Sequence, residues 1–315
     1  MGHVTRTITL TSSGHHYGRR LPPQALGLAL TVIPAVVRQS VSMAFRGRSS
    51  VRGPRPRWLK AAADLRFIDH QGDDASVLYF ETPTLGEAAA ELYRQQEFWS
   101  TRPDPSLTGL DLFGEVVRDV AAHNEDSDRF DKSLLGNLVG FKNVLNGTFH
   151  EVRLDPARPD TAVAVINLRV IRTAQGFLAT TPLPQRVRLA GALDMVRACT
   201  RSFTLRLDDG QEVRGVLVSG SIVDAATHLN HRVLVLGQAV YRASGRLLRI
   251  DADEIRGAEG EPSLWSSIPP PRTRRFDPSS LRVPQGPRSG VSAIIGRWPG
   301  DETDEEIDAW LERTS

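Results

Sequence analysis

The chain has 315 residues, 40% of them apolar and 24% charged, enough for a sizeable core, which excludes a disordered or fibrous polymer. A single cysteine, Cys199, excludes a disulfide framework and a thiolate metal cluster and fits a reducing cytoplasmic setting. The net charge of +2 hides a polar chain: residues 1–60 hold no Asp or Glu and sum to +10, so the remainder sums to −8, as if the two ends meet different partners or each other.

Thr5, Thr7, Thr9 and Thr11 alternate with Arg6, Ile8 and Leu10, the pattern of a strand with one buried face. His15-His16-Tyr17-Gly18 follows as a turn. Arg19-Arg20 then precedes an apolar run from Ala25 to Val37, with Ser42-Met43-Ala44 beyond it, an order that imitates an export signal. Pro22-Pro23 opens the run, Pro34 lies inside it, and a strand precedes it. At roughly a dozen residues the run is too short to span a bilayer, so no membrane is expected. Leu26, Leu30, Ile33, Val37, Val41 and Ala44 share one helical face, which predicts a buried amphipathic helix kinked at Pro34. Gly47 to Arg57 reads as a basic loop. Arg46, Arg48, Arg52, Arg55 and Arg57 are the candidate nucleic-acid contacts, because clustered cations can neutralise phosphates.

Leu65 to Asp69 and Val77 to Glu81 read as a hairpin. Thr84 with Glu87 three residues on has capping-box spacing and predicts a helix start. Leu110 to Asn124 and Asp131 to Leu145 give two further helices, the second closed by Asn146-Gly147. Val152, Leu154 and the run from Ala162 to Ile171 read as two strands. Together these make an α+β domain over residues 1–180, ended by Thr181-Pro182-Leu183-Pro184.

Residues 186–256 carry the clearest pattern. Arg186 to Gly191 and Phe203 to Leu207 alternate as strands, and Asp208-Asp209-Gly210 is a hairpin turn signal before the strand Val213 to Val218. Ser221 to Leu229 reads as a short helix. Val233 to Tyr241 and Leu247 to Ala252 then form a second hairpin around Ser244-Gly245. Five short strands with a helix between the third and fourth resemble an OB-fold barrel, a fold that hosts many unrelated sites.

Composition changes again after residue 256. Residues 257–290 hold most of the prolines and arginines of a semi-extended linker, and 291–315 form an acidic tail. In that tail Thr303 and Glu306 have capping-box spacing, and Ile307, Trp310 and Leu311 form one apolar edge of a short helix. Such a helix must dock to persist, either on its own domain or in the groove of another protein. Gly296-Arg297-Trp298-Pro299-Gly300-Asp301-Glu302-Thr303-Asp304-Glu305-Glu306-Ile307 resembles the C-terminal toxin-binding segment of bacterial antitoxins paired with PIN-type ribonucleases. The resemblance covers about twenty residues. It implies a small ribonuclease toxin as partner, Ile294, Ile295, Trp298, Ile307, Trp310 and Leu311 as anchors, and Arg297 as the residue reaching the toxin's acidic metal site. The chain is much longer than small antitoxins and begins with no ribbon–helix–helix. Its body is similar to uncharacterised bacterial proteins of this domain order, which implies no function.

The alternative is a single-stranded nucleic-acid-binding protein that uses the basic segment and the barrel. Stacking would need exposed aromatics, and the barrel stretch offers only Phe203 and Tyr241, both expected in the core. No H-E-x-x-H, G-x-S-x-G, P-loop or G-x-G-x-x-G occurs. His228 and His231 lack a third ligand in sequence, and Cys199 lacks a histidine partner and reads as a buried, inert thiol. No metal, cofactor or catalytic residue is therefore expected, and the chain reads as a cytoplasmic, non-enzymatic binding protein.

Overall fold

The computed structural model describes residues 2–50, 53–94, 102–145, 147–258, 265–271 and 303. Contacts divide the chain into a compact unit, Met1–Arg272, and a second unit, Thr273–Ser315. Five strands, β1 (His3–Thr11), β2 (Arg66–Gln71), β3 (Ser76–Pro83), β4 (Glu151–Leu154) and β5 (Ala164–Asn167), form an antiparallel sheet in the order β2-β3-β1-β4-β5. Alternation along the strands places Ile8, Leu10, Leu78, Phe80, Val152, Leu154 and Ile166 in one core.

Among the described residues eight helices belong to this part: α1 (Pro23–Arg46), α2 (Arg57–Ala62), α3 (Leu85–Ala88), α4 (Ala90–Tyr93), α5 (Gly109–Ala121), α6 (Lys132–Val139), α7 (Lys142–Leu145) and α8 (Leu168–Thr180). The apolar faces of α1, α5, α6 and α8 complete the core, with Ile33, Val37, Phe113, Val117, Leu134, Leu138 and Phe177 buried against the sheet residues. A smaller cluster gathers Trp58, Leu59, Leu85, Leu92 and Leu112 around Val41, near the end of α1.

Several expectations change on inspection. The apolar run grows into a helix of 24 residues that starts at Pro23, contains Pro34 and ends where the Gly47 amide donates to the Met43 carbonyl. It is long and apolar enough to cross a membrane, which corrects the expected shortness, and half of its most apolar window is buried within the protein. Of the face read from periodicity, Ile33, Val37 and Val41 are buried, Leu26 and Leu30 partly so, and Ala44 is exposed. Arg57 begins α2 rather than ending a loop, because Trp58, Leu59 and Ala62 have a core to enter. Thr84 makes no side-chain cap and bridges Thr108 instead, and the helix expected there breaks at Ala89 into α3 and α4. The working capping box belongs to Thr108 and Asp111, at the start of α5. The helix from Asp131 is likewise interrupted at Gly140. The strand expected over 162–171 stops at Asn167, whose side chain accepts from the Arg169 and Val170 amides and starts α8.

The second part is a closed five-stranded barrel made of β6 (Gln185–Arg197), β7 (Ser202–Arg206), β8 (Glu212–Leu217), β9 (Arg232–Tyr241) and β10 (Leu247–Gly257), in the order β10-β8-β7-β6-β9. The β8–β10 pairing is parallel and the others antiparallel. A short helix, α9 (Ile222–Ala226), capped by Ser221, links β8 to β9. The first half of β6 pairs with β9 and its second half with β7, so one 13-residue strand turns the barrel's corner. Leu189, Phe203, Leu205, Val233, Val235, Tyr241 and Ile250 fill the interior. Packing continues past Gly257, where Trp265 lies against Ala190, Leu234 and Ala258 and under Arg188. Val240, Ala243 and Leu248 leave the barrel to join the core of the α+β part.

Two glycines of the barrel carry different constraints. Gly210 sits at φ +82° in the turn after β7, with open space where a Cβ would be. Gly215 faces the ring of the buried Phe203, and a Cβ there would run into it. Gly210→Ala should therefore cost about 1 kcal/mol from backbone strain alone. Gly215→Ala should cost about 2–3 kcal/mol because the overpacked ring has to shift. Urea unfolding of both variants checks this order.

Candidate functional site

Asp131 ties the two parts together. As the N-cap of α6 it accepts from the Leu134 amide at 3.2 Å, and it also accepts from the amide of Ser49 at 3.1 Å and from the Ser49 hydroxyl. Its Oδ2 lies 3.2 Å from Nη1 of Arg249 on β10, and the two side chains are 4% and 6% exposed. The pair is close enough to be an ion pair, yet it lies off the N–H axis, so Nη1 has no well-directed acceptor. Arg249 Nε donates to Asp251 Oδ1 at 2.7 Å, and Arg48 Nε stands 3.7 Å from the other oxygen of Asp251. Burial pushes Asp131 toward its neutral form. Arg249 and the donors of Ser49 and Leu134 outweigh that push, and its pKa lies below the ordinary carboxylate value.

Beside this seam a cleft of about 680 Å³ opens between the C-terminal end of α1, the start of α5 and the β6–β8 side of the barrel. Phe45, Leu92, Leu107 and Met195 supply apolar wall, and a set of arginines supplies the rest. Most of these arginines face an acid. Arg129 lies 3.0 Å from both Glu115 and Asp119, Arg158 contacts Asp104, and Arg214 lies 3.5 Å from Asp128. Donation from the Ser106 hydroxyl and amide, joined by Arg158, lowers Asp104 to about 2. Tyr93, its phenol pushed up by burial, donates to the Pro103 carbonyl at 3.0 Å and fixes the cleft's rim.

Arg46 differs from its neighbours. It occupies the last turn of α1 and lines the cleft, and its buried Nη1 has no hydrogen-bond partner among the described residues. Desolvation lowers its pKa first, and the charges of Arg48 and Arg201 lower it further.

No family model, curated protein or solved structure matches this chain. The site is therefore judged from its own geometry. Of the five arginines read as nucleic-acid contacts, the structure brings Arg46 and Arg48 to the cleft and its seam. Arg55 is exposed beside Arg38, Arg57 opens α2, and Arg52 lies outside the described residues. Ile294, Ile295, Arg297, Trp298, Ile307, Trp310 and Leu311 also lie outside them. Phe203 and Tyr241 are core residues, each 1% exposed. Cys199 is exposed on the cleft wall, which corrects its reading as a buried thiol. Among the described residues no three His, Cys, Asp or Glu side chains are placed to hold a metal ion. Arg129, Arg158 and Arg214 escaped the sequence reading because they come from segments up to 85 residues apart with no shared spacing.

Asp131→Ala should destabilise the protein by about 3–5 kcal/mol, because it strands the buried Arg249. The carboxylate's folded pKa is depressed below the unfolded value of about 3.9, so its contribution is complete above that pH and is lost as pH falls through the folded pKa. The stability difference between wild type and variant, measured by denaturant unfolding, should stay constant from pH 7 to about pH 5 and shrink below about pH 4.

Proposed function

We propose that this chain is a non-enzymatic, cytoplasmic binding protein of the antitoxin kind, which neutralises a small ribonuclease through residues 291–315. The observation that carries the reading is the sequence from Gly296 to Leu311, with Trp298, Trp310 and the capping-box spacing of Thr303 and Glu306. It falls within Thr273–Ser315, the second of the two units into which contacts divide the chain. Trp298 and Trp310 act as anchors, and Arg297 offers a counter-charge to an acidic metal site in the partner.

A second reading, single-stranded nucleic-acid binding, has one observation in its favour. The barrel's order, its parallel β8–β10 pair and the helix before β9 support an OB-like assignment, and the arginine-lined cleft opens on its β7–β8 side. Burial of Phe203 and Tyr241 removes the stacking platform this reading needs within the barrel strands.

The first reading expects a small nuclease gene beside this one. Coexpression of that nuclease should be tolerated with the full chain and toxic with a chain ending at Arg272, which keeps Trp265 and Ile268 on the barrel and so keeps its melting temperature. Trp298→Ala and Trp310→Ala should each weaken binding of the purified nuclease about thirtyfold, equivalent to roughly 2 kcal/mol. Equal rescue by the full and shortened chains would refute the assignment.

A further inference from the structure

We infer that the cleft between α1 and the barrel is a phosphate-binding site anchored by Arg46, taking the phosphate or phosphodiester group of an organic phosphate. The inference goes beyond the proposed role of the C-terminal segment and uses none of its residues.

Four guanidiniums meet here: Arg46 and Arg249 line the cleft, and the charges of Arg48 and Arg201 act on Arg46 from beside it. Two carboxylates answer them, Asp131 and Asp251, and both are engaged by Arg249. Arg48 shares Asp251 at 3.7 Å. Arg201 donates only to carbonyl oxygens, those of Leu217, Ser219 and Gly220. Arg46 faces no carboxylate among the described residues, and its Nη1 is buried without an acceptor. Of the other acids lining the cleft, Asp104, Glu115, Asp128 and Asp194 already face Arg158, Arg129, Arg214 and Arg206, and the fifth, Glu212, makes no ion pair with Arg46.

A positive surplus of two in a partly desolvated place is costly unless an anion meets it. The carbonyl end of α1 offsets a fraction of the Arg46 charge, as a helix C-terminus does for any cation in its last turn, but it gives Nη1 no hydrogen bond. A carboxylate would neutralise one charge and leave the other. A phosphate supplies up to two charges, and its oxygens match the guanidinium fork. The cleft's volume and its apolar wall of Phe45, Leu107 and Met195 leave room for the organic body that carries the phosphate.

The test uses the full chain at low salt with three probes: inorganic pyrophosphate and adenosine 5′-monophosphate by calorimetry, and fluorescein-labelled octathymidylate by anisotropy. At least one should bind with a Kd of about 100 µM or tighter, and more weakly as salt rises. Arg46→Met keeps the packing of the side-chain stem and removes the fork, and it should weaken every binding probe by roughly tenfold to a hundredfold. The melting temperature of this variant should hold or rise, because the lost charge had no partner. Arg46→Lys should retain an intermediate affinity, and Arg186→Ala, which removes an exposed arginine paired with Asp253, should bind as wild type. Binding of the two small probes alone assigns the site to free organic phosphates, and binding of the octamer alone assigns it to a strand's backbone. Absence of binding by all three probes overturns the inference. So does unchanged affinity in Arg46→Met, or a lowered melting temperature in both Arg46 variants.

Discussion

The carboxylate of Asp131 is the joint on which the arrangement of the body depends. One side chain starts α6, holds the backbone just after α1 through Ser49, and meets Arg249 on the barrel's last strand. These three elements come from residues 49, 131 and 249, so the contact is made only when the long-range topology is complete. A buried ion pair is a poor source of net stability, because desolvation consumes most of the Coulomb gain. Its value here is positional: an apolar pair of equal volume would fill the space but would not fix the angle between α6 and β10. The apolar part of the joint, Val240, Ala243 and Leu248 in the α+β core, supplies the area, and the charged part supplies the register.

The register has a consequence for the cleft. With Ser49 held, the polypeptide is anchored three residues after the end of α1, and Arg46 in the last turn lines the cleft. The Ser42 hydroxyl, donating to the Arg48 carbonyl at 2.7 Å, adds a second clamp on the same turn. The backbone that carries Arg46 is therefore held in place. Snorkelling is the usual escape of a half-buried guanidinium, and Nη1 of Arg46 is buried instead. A binding group held rigid before its ligand arrives loses less entropy on association than one that must be gathered in.

Much of the fold was legible in the sequence, and the parts that were not have common causes. The barrel strands were readable because closed antiparallel pairing enforces alternation, and the turns at Gly210 and Gly245 marked the hairpins. Strand β1 was readable for the same reason. Helix α8 was missed because Val165, Ile166, Val170 and Ile171 make the run from Ala162 to Ile171 rich in β-branched residues, and one Asn167 cap outweighs that composition by satisfying two amides. The capping-box spacing at Thr84 misled because Thr108 pairs with that backbone and forms the true box with Asp111. The cleft was the least legible feature. Its walls come from α1, α5 and four barrel strands, and of its arginines only Arg46 belonged to a segment whose composition drew attention. Arginines that converge from distant segments leave no periodic trace.

The charge asymmetry of the chain, read first as a hint about partners, is partly resolved within the body. Arg6 from the basic segment lies 3.5 Å from Asp111, and Arg48 from the same segment meets Asp251. The surplus cations that remain fall into two physical classes. Arg55 and Arg57 sit in water, where high dielectric and salt make an unpaired charge nearly free of cost. Arg46 is half-buried, its Nη1 is shielded from water, and the like charges of Arg48 and Arg201 act on it. The same composition statistic thus covers residues with opposite meanings, and only burial separates them. A cation in water is a solubility feature. A partly desolvated cation whose buried N–H has no acceptor is a destabilised group, and an arriving anion that pairs with it recovers free energy the folded chain alone has forgone.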